Sequence, residues 1–360
     1  MRIIHLANHV RNTGNGIVNM MIDLACSQAK VGHDVTVATS GGDFEVLLKK
    51  HGVKHIRVPQ SPKLWNAFRA VIEFRHILRQ CKPDVVHAHM VTGVLLARFG
   101  TIRPKYSLIA TVHNEFQKSS SLMRLGDRVV CVSAEVARSM ETRGIPTHKL
   151  SIVRNGTIGS PRRSGNQPTS PQLQRPNVVT IAGMYERKGI NDLLRAFALI
   201  RDKHSQAHLY LVGDGPDKQA MESDAQELGL GASVTFTGFV SEPRAYLAET
   251  DIFVLASHKD SGALALIEAR EYGCAIIATK VDGNPEMLDF GEAGLLVPPK
   301  DPKSLADAIT SLLSDPQVIR EYRQRSQINL CGFHVSDVAK NYLSIYAETL
   351  SECRSAVVKP

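Results

Sequence analysis

Short apolar runs, rich in Val, Ile and Leu, alternate along the chain with longer segments whose apolar residues recur every three to four positions. The first series of runs comprises Arg2–Ala7, Asp34–Thr39, Val53–Val58, Asp84–His89, Ser107–His113, Arg128–Val132 and Leu150–Val153. The second comprises Asn177–Gly183, Ala207–Gly213, Ser233–Thr237, Asp251–Ala256, Cys274–Thr279 and Leu295–Val297. Nearly continuous apolar runs between helical segments are typical of parallel strands covered by helices on both faces.

The alternation breaks once, at Thr157–Pro176, which is dense in Pro, Ser, Gly, Gln and Arg. This composition indicates a linker between two domains. After the second series, Asp301–Glu352 has helical periodicity and contains no strand run. The pattern therefore predicts an α/β protein with two Rossmann-like, doubly wound domains in tandem.

The composition is that of a globular protein, and its charge is unevenly distributed. Of 360 residues, 43% are hydrophobic and 22% charged, which excludes a disordered, fibrous or integral-membrane chain. The net charge of +8 divides into +14 for residues 1–165 and −6 for residues 166–360. A basic half indicates an anionic partner, namely nucleic acid, a membrane surface or a phosphorylated ligand.

The cysteines and the N-terminus predict a cytoplasmic protein. None of the six cysteines forms a C-x-x-C pair, so we interpret them as reduced and mostly buried. The apolar stretch at the N-terminus is too short for a signal peptide, and no run approaches the roughly 18 apolar residues of a membrane-spanning helix. Any membrane contact is therefore expected to be peripheral.

The segment Leu64–Lys82 is basic and amphipathic. Its predicted apolar stripe consists of Trp65, Phe68, Val71, Ile72 and Leu78. Such a stripe either packs into the domain core or docks partly on anionic lipid, with Lys49, Lys50, Lys54 and Arg57 nearby in sequence.

In open α/β sheets, ligands bind beyond the carboxyl ends of the strands. Gly14 and Gly16 follow the first strand, where a helix N-terminus favours an anion, although an ordinary β–α turn fits as well. His113 ends the fifth strand and either contacts a sugar hydroxyl or anionic leaving group, or is bonded to the backbone. His87 and His89 favour a structural interpretation, because no further metal ligand is evident near them.

The second half carries charged residues at the corresponding positions. Arg187 and Lys188 follow its first strand and suit a diphosphate, or else form a solvated pair. Asp260 and Glu268 lie eight residues apart, around a helix expected to open at Gly262. Glu268 suits ribose hydroxyls, whereas Asp260 either binds sugar hydroxyls or caps the helix.

Further motifs occur in a fixed order along the chain. The first half contains LACSQAKVGHDVTVAT after the glycine loop, then PDVVHAH, TVHN, VSAEVARSM and KLSIVRNG. The second half contains RKG, LVGDGP, VTFTGFV, the acid-x7-acid segment running into EAREYGCAIIAT, GNPEML and GEAGLLVPPKDP. Single motifs of this kind are common. The ordered set, which covers nearly the whole chain, resembles the family 4 glycosyltransferases of the GT-B fold.

The resemblance implies a domain organisation and a reaction. Residues 1–163 would bind the acceptor and residues 164–334 the nucleotide-sugar donor, the two Rossmann-like domains facing a central cleft. Residues 335–360 would form a helix that crosses back onto the first domain. The family pattern also implies transfer with retention of configuration, a UDP- or GDP-linked donor, and no required metal or other cofactor.

The resemblance also assigns site residues. Lys188 would pair with the donor diphosphate and Glu268 with the ribose hydroxyls, while Asp260 stands for the first Glu of the family's E-x7-E and contacts the transferred sugar. His113, Asp260 and Lys188 are thus the expected catalytic residues. The other expected donor contacts are Ala263 and Leu264 at phosphate, Gly16 and His113 at sugar and phosphate, Arg187 at the diphosphate, and Phe239 and Val240 at the base.

This sequence departs from the family pattern at three places. Asn15-Gly16 replaces the usual Gly-Gly pair. Met184 replaces an arginine, whose charge we expect Arg187 to supply from a shifted position. Asp260 is one methylene shorter than Glu, and Ser261 replaces the usual glycine.

We therefore expect a glycosyltransferase that moves a sugar to a hydroxyl of a glycan or lipid-linked acceptor, in bacterial cell-surface polysaccharide, lipopolysaccharide or glycolipid synthesis. An anionic membrane surface is a further expected partner of the basic half. The alternatives are a nucleotide-sugar 2-epimerase of the same architecture and a non-catalytic protein that binds nucleotide sugar or nucleic acid. Nucleic acid is not expected as a partner, because no recognisable nucleic-acid motif is present and aromatic residues make up only 6%.

Overall fold

The computed structural model describes residues 1–58, 64–101, 106–163 and 170–358, with the backbone alone at 64–67 and 354–358. It divides the chain into two units, one formed by Met1–Ser164 with Gly332–Pro360 and the other by Gly165–Cys331. Each unit is built on a parallel sheet, and every predicted apolar run overlaps a strand. The predicted α/β class is thus confirmed.

The first unit contains a seven-stranded parallel sheet in the order β3-β2-β1-β4-β5-β6-β7. Its strands are β1 (Arg2–Leu6), β2 (Asp34–Thr39), β3 (Lys54–Arg57), β4 (Val85–Ala88), β5 (Ser107–Val112), β6 (Arg128–Cys131) and β7 (Leu150–Ile152). Its helices up to that point are α1 (Gly16–Lys30), α2 (Glu45–Lys50), α3 (Leu64–Cys81), α4 (Val91–Phe99) and α5 (Ala134–Thr142). All residues of β4 and β5 are buried, as expected for central strands covered on both faces.

The second unit contains a six-stranded parallel sheet in the order β10-β9-β8-β11-β12-β13. Its strands are β8 (Asn177–Ile181), β9 (His208–Val212), β10 (Val234–Gly238), β11 (Ile252–Leu255), β12 (Ala275–Thr279) and β13 (Leu295–Val297). Its helices are α6 (Ile190–Ile200), α7 (Lys218–Glu227), α8 (Arg244–Ala248), α9 (Leu264–Glu271), α10 (Asn284–Met287), α11 (Pro302–Ser314) and α12 (Pro316–Ser326). Helices α6 and α11 pack on each other and bury the apolar stripe that the sequence period predicts.

A last helix, α13 (Val335–Val358), belongs to the first unit and packs on α1 and β5. Its Tyr342 and Tyr346 are fully buried, and both hydroxyls bond to groups of that unit. The carboxylate of Glu352 near its end receives two hydrogen bonds from Arg128 on β6, at 2.7 and 2.8 Å.

The interpretation of Thr157–Pro176 as a linker is wrong for its first residues, while residues 164–169 lie outside the described chain. Ser160 donates a 2.6 Å hydrogen bond to the buried carboxylate of Asp23 on α1, and Arg162 forms an ion pair with the same group at 2.9 Å. A buried carboxylate needs such partners, and they hold this segment on the first unit.

The predicted apolar stripe of α3 is also partly wrong. The fully buried residues are Ala70, Phe74 and Ile77, and Leu78 of the predicted stripe packs partly against the same core, whereas Phe68 and Ile72 are 62% and 51% exposed. The buried positions recur at intervals of four and three, which places them on one helical face and turns Phe68 and Ile72 toward solvent. The side chain of Trp65 lies outside the described residues.

No helix within the described ranges combines the length and apolarity needed to cross a bilayer.

Candidate active site

The strand order of the second sheet reverses between β8 and β11. At such a reversal the loops leave in opposite directions and open a crevice beyond the carboxyl ends of the strands, where ligands of open α/β sheets bind. The loop after β8 carries Lys188, and the loop after β11 carries Asp260. The two expected catalytic residues of this unit therefore follow the two strands that flank the reversal.

A tight turn of the backbone sets the position of Lys188. It ends a short 3-10 turn, Glu186–Lys188, and the next residue, Gly189, has φ +65° and leads into α6. A Cβ at Gly189 would lie 2.0 Å from the carbonyl oxygen of Ala256, so only glycine allows this approach to the loop after β11. The turn therefore delivers Lys188 next to that loop.

Lys188 and Asp260 form an ion pair, with Nζ 2.5 Å from Oδ2 and side chains only 15% and 10% exposed. Asp260 Oδ2 also accepts a hydrogen bond from Ser257, at 3.2 Å. The Asp260 amide donates to the carboxylate of Asp282, which follows β12, at 2.7 Å. Lys188 and Ser257 thus fix the Asp260 carboxylate, and Asp282 holds its backbone amide. The ammonium of Lys188 can also interact with a second anion.

Helix α9 begins at Leu264, two residues later than the expected start at Gly262, with Ala263 as its N-cap. The Ala263 side chain makes no capping hydrogen bond, in keeping with its lack of polar atoms. The amides of a first helical turn have no intrahelical partner and favour an anion. Ala263 and Leu264, both expected at phosphate, therefore lie at the end of the helix that suits it.

Glu268 lies in the second turn of α9 and is half-buried. Ser261 lies between Asp260 and α9, and its hydroxyl is buried without a hydrogen-bond partner among the described residues. A buried hydroxyl without a partner is costly. This atom therefore identifies a polar position beside Asp260 that a ligand hydroxyl can satisfy.

The other positions of the second unit that were expected to contact the donor are more exposed. Arg187 is exposed, with its guanidinium carbon 5.8 Å from the centre of the Tyr185 ring. Met184 is fully buried in the core, so its position supplies no side chain to the loop. Phe239, 46% exposed, and Val240, half-buried, follow the end of the edge strand β10.

The first sheet reverses its order between β1 and β4, and Gly16 and His113 lie beyond its carboxyl edge. Gly16 is the first residue of α1, whose N-cap Asn15 accepts a 3.0 Å hydrogen bond from the Ile17 amide. The Asn15-Gly16 departure thus has a structural role, because the asparagine satisfies one amide at the helix start. His113 follows β5 directly, and burial lowers the pKa of its ring to about 4.

The ring of His113 bonds to another side chain, because its Nε2 lies 3.0 Å from Nδ1 of His89. Three buried histidines, His5, His87 and His89, bring one nitrogen each within 4.8 Å of one another, the geometry of a potential metal site. All six of their ring nitrogens already have hydrogen-bond partners in the protein. The set therefore fits a hydrogen-bond network better than a cation.

Sequence reasoning missed His5. The signal for it is the register of two predicted strands, since His5 on β1 pairs directly with His87 on β4. Side chains at paired positions of neighbouring strands lie on the same face of the sheet. An isolated histidine in an apolar run carries no such information.

Comparison with known proteins agrees with this architecture. A model described as Glycosyltransferase Family 4 matches residues 14–157, and one described as Glycosyl transferases group 1 matches residues 166–329. The crystal structure of the Anabaena protein Alr3699/HepE in complex with UDP and glucose superimposes with a TM-score of 0.81. That comparison covers 96% of this chain and 99% of HepE at 17% identity, and it confirms the GT-B fold.

Relatives of similar length include named glycosyltransferases. The chain is 29% identical to the N-acetyl-alpha-D-glucosaminyl L-malate synthase of Bacillus anthracis over 375 residues, covering 96% of each protein. It is 24% identical to the lipopolysaccharide core biosynthesis glycosyltransferase LpsE of Rhizobium meliloti over 280 residues, covering 77% of this chain and 79% of LpsE. The chain therefore belongs to the family 4, group 1 glycosyltransferases, and it is a transferase of the GT-B fold.

Proposed function

We propose that the protein transfers a sugar, with retention of configuration, from a UDP- or GDP-linked donor to a hydroxyl of a glycan or lipid-linked acceptor. The observation that carries the proposal is the Lys188–Asp260 pair beside the start of α9, at the strand reversal of the second sheet. A cation and unsatisfied helix amides suit a diphosphate, and a fixed carboxylate suits sugar hydroxyls. The UDP bound by the structural neighbour HepE agrees with this donor class.

In this proposal the second unit, residues 164–334 by the sequence boundaries, binds the donor. Lys188, Arg187 and the amides at Ala263 and Leu264 hold the diphosphate, while Glu268 accepts hydrogen bonds from the ribose. Asp260 orients the transferred sugar, and the base lies against Phe239 and Val240. Residues 1–163 bind the acceptor, and Gly16 and His113 contact the phosphate and sugar of the donor.

Transfer then needs no protein nucleophile and no required metal. The bond between the anomeric carbon and the diphosphate oxygen breaks, and the acceptor hydroxyl attacks that carbon from the same face. The hydroxyl proton passes to a diphosphate oxygen, and a nucleoside diphosphate leaves. Lys188, Arg187 and the α9 amides stabilise the negative charge that develops on the leaving group.

The charge of the first unit supports an anionic acceptor or membrane surface. With its C-terminal helix, this unit carries 27 lysines and arginines against 13 acidic residues, whereas the donor unit is net −6. The donor sites assigned above account for none of this excess. We therefore propose that the protein works at the inner face of the cytoplasmic membrane, in lipopolysaccharide, polysaccharide or glycolipid synthesis.

The test is the substitution Glu268→Ala. A hydrogen bond to a charged group contributes about 1.5–3 kcal/mol, so losing two should weaken donor binding at least about 100-fold. Isothermal titration with UDP- and GDP-sugars, together with turnover on lipid-linked acceptors, measures this. Glu271→Ala, which removes the same charge from the last residue of α9, is the matched control and should keep donor affinity.

Equal donor affinity in the Glu268 and Glu271 variants would contradict the assignment. Release of free epimerised sugar without any acceptor would instead identify the 2-epimerase alternative.

A further inference from the structure

A continuous line of buried side-chain hydrogen bonds runs from His113 into the first unit. His113 Nε2 lies 3.0 Å from His89 Nδ1, and His89 Nε2 lies 3.0 Å from His5 Nδ1. His5 Nε2 lies 2.8 Å from Oε1 of Gln28 on α1. The rings of His5 and His89 stack 5.3 Å apart, and so do those of His89 and His113. We call His113, His89, His5 and Gln28 together the histidine line.

The members behind His113 are closed to solvent. His5 and Gln28 are 0% exposed and His89 is 2% exposed. Burial lowers the pKa of His5 and of His113 to about 4, and that of His89 well below its ordinary value. All three rings are therefore neutral near neutral pH, and each carries a single proton on one of its two nitrogens.

The chemistry of Gln28 fixes where those protons are. An amide oxygen only accepts, so His5 Nε2 must donate to Oε1, which leaves His5 Nδ1 bare. His89 Nε2 then donates to His5, and its bare Nδ1 accepts from His113 Nε2. The proton of His113 therefore points inward, and its Nδ1 is left as an acceptor.

The amide of Gln28 has a second partner on its other side. Its Nε2 donates to the Tyr346 hydroxyl at 3.3 Å, and this hydroxyl lies 2.6 Å from Nδ1 of His87. On the other side of the ring, His87 Nε2 lies 2.6 Å from the hydroxyl oxygen of Thr111. Within the histidine line, the two orientations of the Gln28 amide give opposite ring tautomers, because Nε2 in place of Oε1 would donate to His5 instead of accepting from it. Gln28 is thus the member of the line whose orientation selects between them.

We propose that Gln28 is a positioning residue that sets the ring tautomer of His113, so that His113 presents a bare Nδ1 to a hydroxyl group of the transferred sugar. This inference rests on the proposed function, which assigns His113 to the donor sugar. It also assigns a substrate class. An acceptor nitrogen matches a sugar that carries a hydroxyl at the contacted carbon, and it repels a carboxylate there.

Nitrogen NMR of the full chain, labelled with ¹⁵N in its histidine rings, tests the tautomer without any substrate. Long-range proton–nitrogen correlations distinguish protonated from bare ring nitrogens. In the natural protein, His113 should show a protonated Nε2 and a bare Nδ1. A protonated Nδ1 would overturn the inference, whatever any variant does.

Two variants test the role of Gln28. Gln28→Met keeps the length of the side chain but removes the accepting oxygen, so His113 should become a mixture of tautomers. Tyr346→Phe removes the second partner of the Gln28 amide, should shift His113 in the same direction, and serves as the test if Gln28→Met fails to fold. Thr111→Val is the matched control, because it removes a partner of His87 from the same buried network and should leave His113 unchanged. An unmixed His113 in folded Gln28→Met would overturn the inference.

Kinetics separates this inference from the proposed function. Gln28→Met should lower kcat/KM for the donor about tenfold, the effect of one misdirected hydrogen bond. A mixed tautomer with unchanged kinetics would contradict the contact between His113 and the sugar, and would leave the tautomer assignment standing. Loss of donor binding in Glu268→Ala together with an unmixed tautomer in Gln28→Met would support the proposed donor site and contradict the role of Gln28.

Discussion

At the scale of single residues, the contact between Lys188 and Asp260 determines how charge is balanced in the proposed donor site. Both side chains are nearly buried, and the carboxylate has a second partner in Ser257. Lys188→Ala removes the cation proposed to compensate the leaving diphosphate. Removing such a stabilising group costs about 100- to 1,000-fold in turnover, and steady-state kinetics should show a loss of that size in kcat.

Lys259→Ala is the matched control, because it removes the same charge from the exposed residue next to Asp260. A loss of turnover equal in the two variants would assign the effect to net charge and contradict the role of Lys188.

The sequence placed Lys188 and Asp260 beyond the ends of their strands, but it identified none of their partners within the protein. Positions at strand ends follow from local periodicity, which one strand and one helix suffice to show. The contact of Asp260 with Asp282 depends instead on which strands are neighbours and on their register. Gln28 was missed for the same reason, since a glutamine on an amphipathic helix has no local mark of a buried role.

At the scale of elements, strands were predicted more accurately than the faces of helices. A buried parallel strand is apolar at nearly every position, so its sequence alone indicates its burial. A helix has one buried face, and α3 offers two apolar faces in its sequence. Phe74 and Ile77 reach the core, whereas Phe68 and Ile72 do not. The neighbours of α3, rather than its pattern, select the face.

The exposed residues of α3 give a prediction for the membrane proposal. Replacing both Phe68 and Ile72 with Ser should reduce the fraction of protein that sediments with vesicles of anionic lipid. Burying one such side chain contributes about 1.5–3 kcal/mol, added to the attraction of nearby Arg69 and Arg75 for anionic headgroups. Sedimentation with zwitterionic vesicles should be weak for both forms.

Phe290→Ser is the control, because Phe290 is 77% exposed and lies in the acidic unit. Sedimentation unchanged by the α3 substitutions, or equally reduced by Phe290→Ser, would contradict docking through this helix.

At the scale of the whole molecule, the first unit is completed by the last helix of the chain. Tyr346 bonds to His87 across 259 positions, and Glu352 bonds to Arg128 across 224. Contacts at such separations leave no trace in local periodicity, which is why the return of this segment was expected only from the family resemblance. The same helix supplies the tyrosine that closes the buried histidine network.

That network makes the stability of the first unit depend on pH. Burial holds the pKa values of His5, His87, His89 and His113 below that of an ordinary histidine. Below about pH 6.5 the unfolded chain therefore binds protons that the folded unit does not, and the free energy of unfolding falls as pH falls. The loss continues to about pH 4, where His5 and His113 protonate in the folded state.

The free energy of unfolding can fall by about 1.4 kcal/mol per pH unit for each buried histidine. Above about pH 7.5 the contribution of these histidines no longer changes with pH. The single tryptophan, Trp65, lies on α3 of the first unit, so any change in tryptophan fluorescence comes from this unit and not from the other. Urea titrations between pH 7.5 and 4.5 should show a steep decline, and His87→Gln should make it shallower because one titrating group is gone. A free energy of unfolding that stays constant from pH 7 to pH 5 would mean that the folded rings take up protons over the same pH range as the unfolded chain, and it would contradict their lowered pKa values.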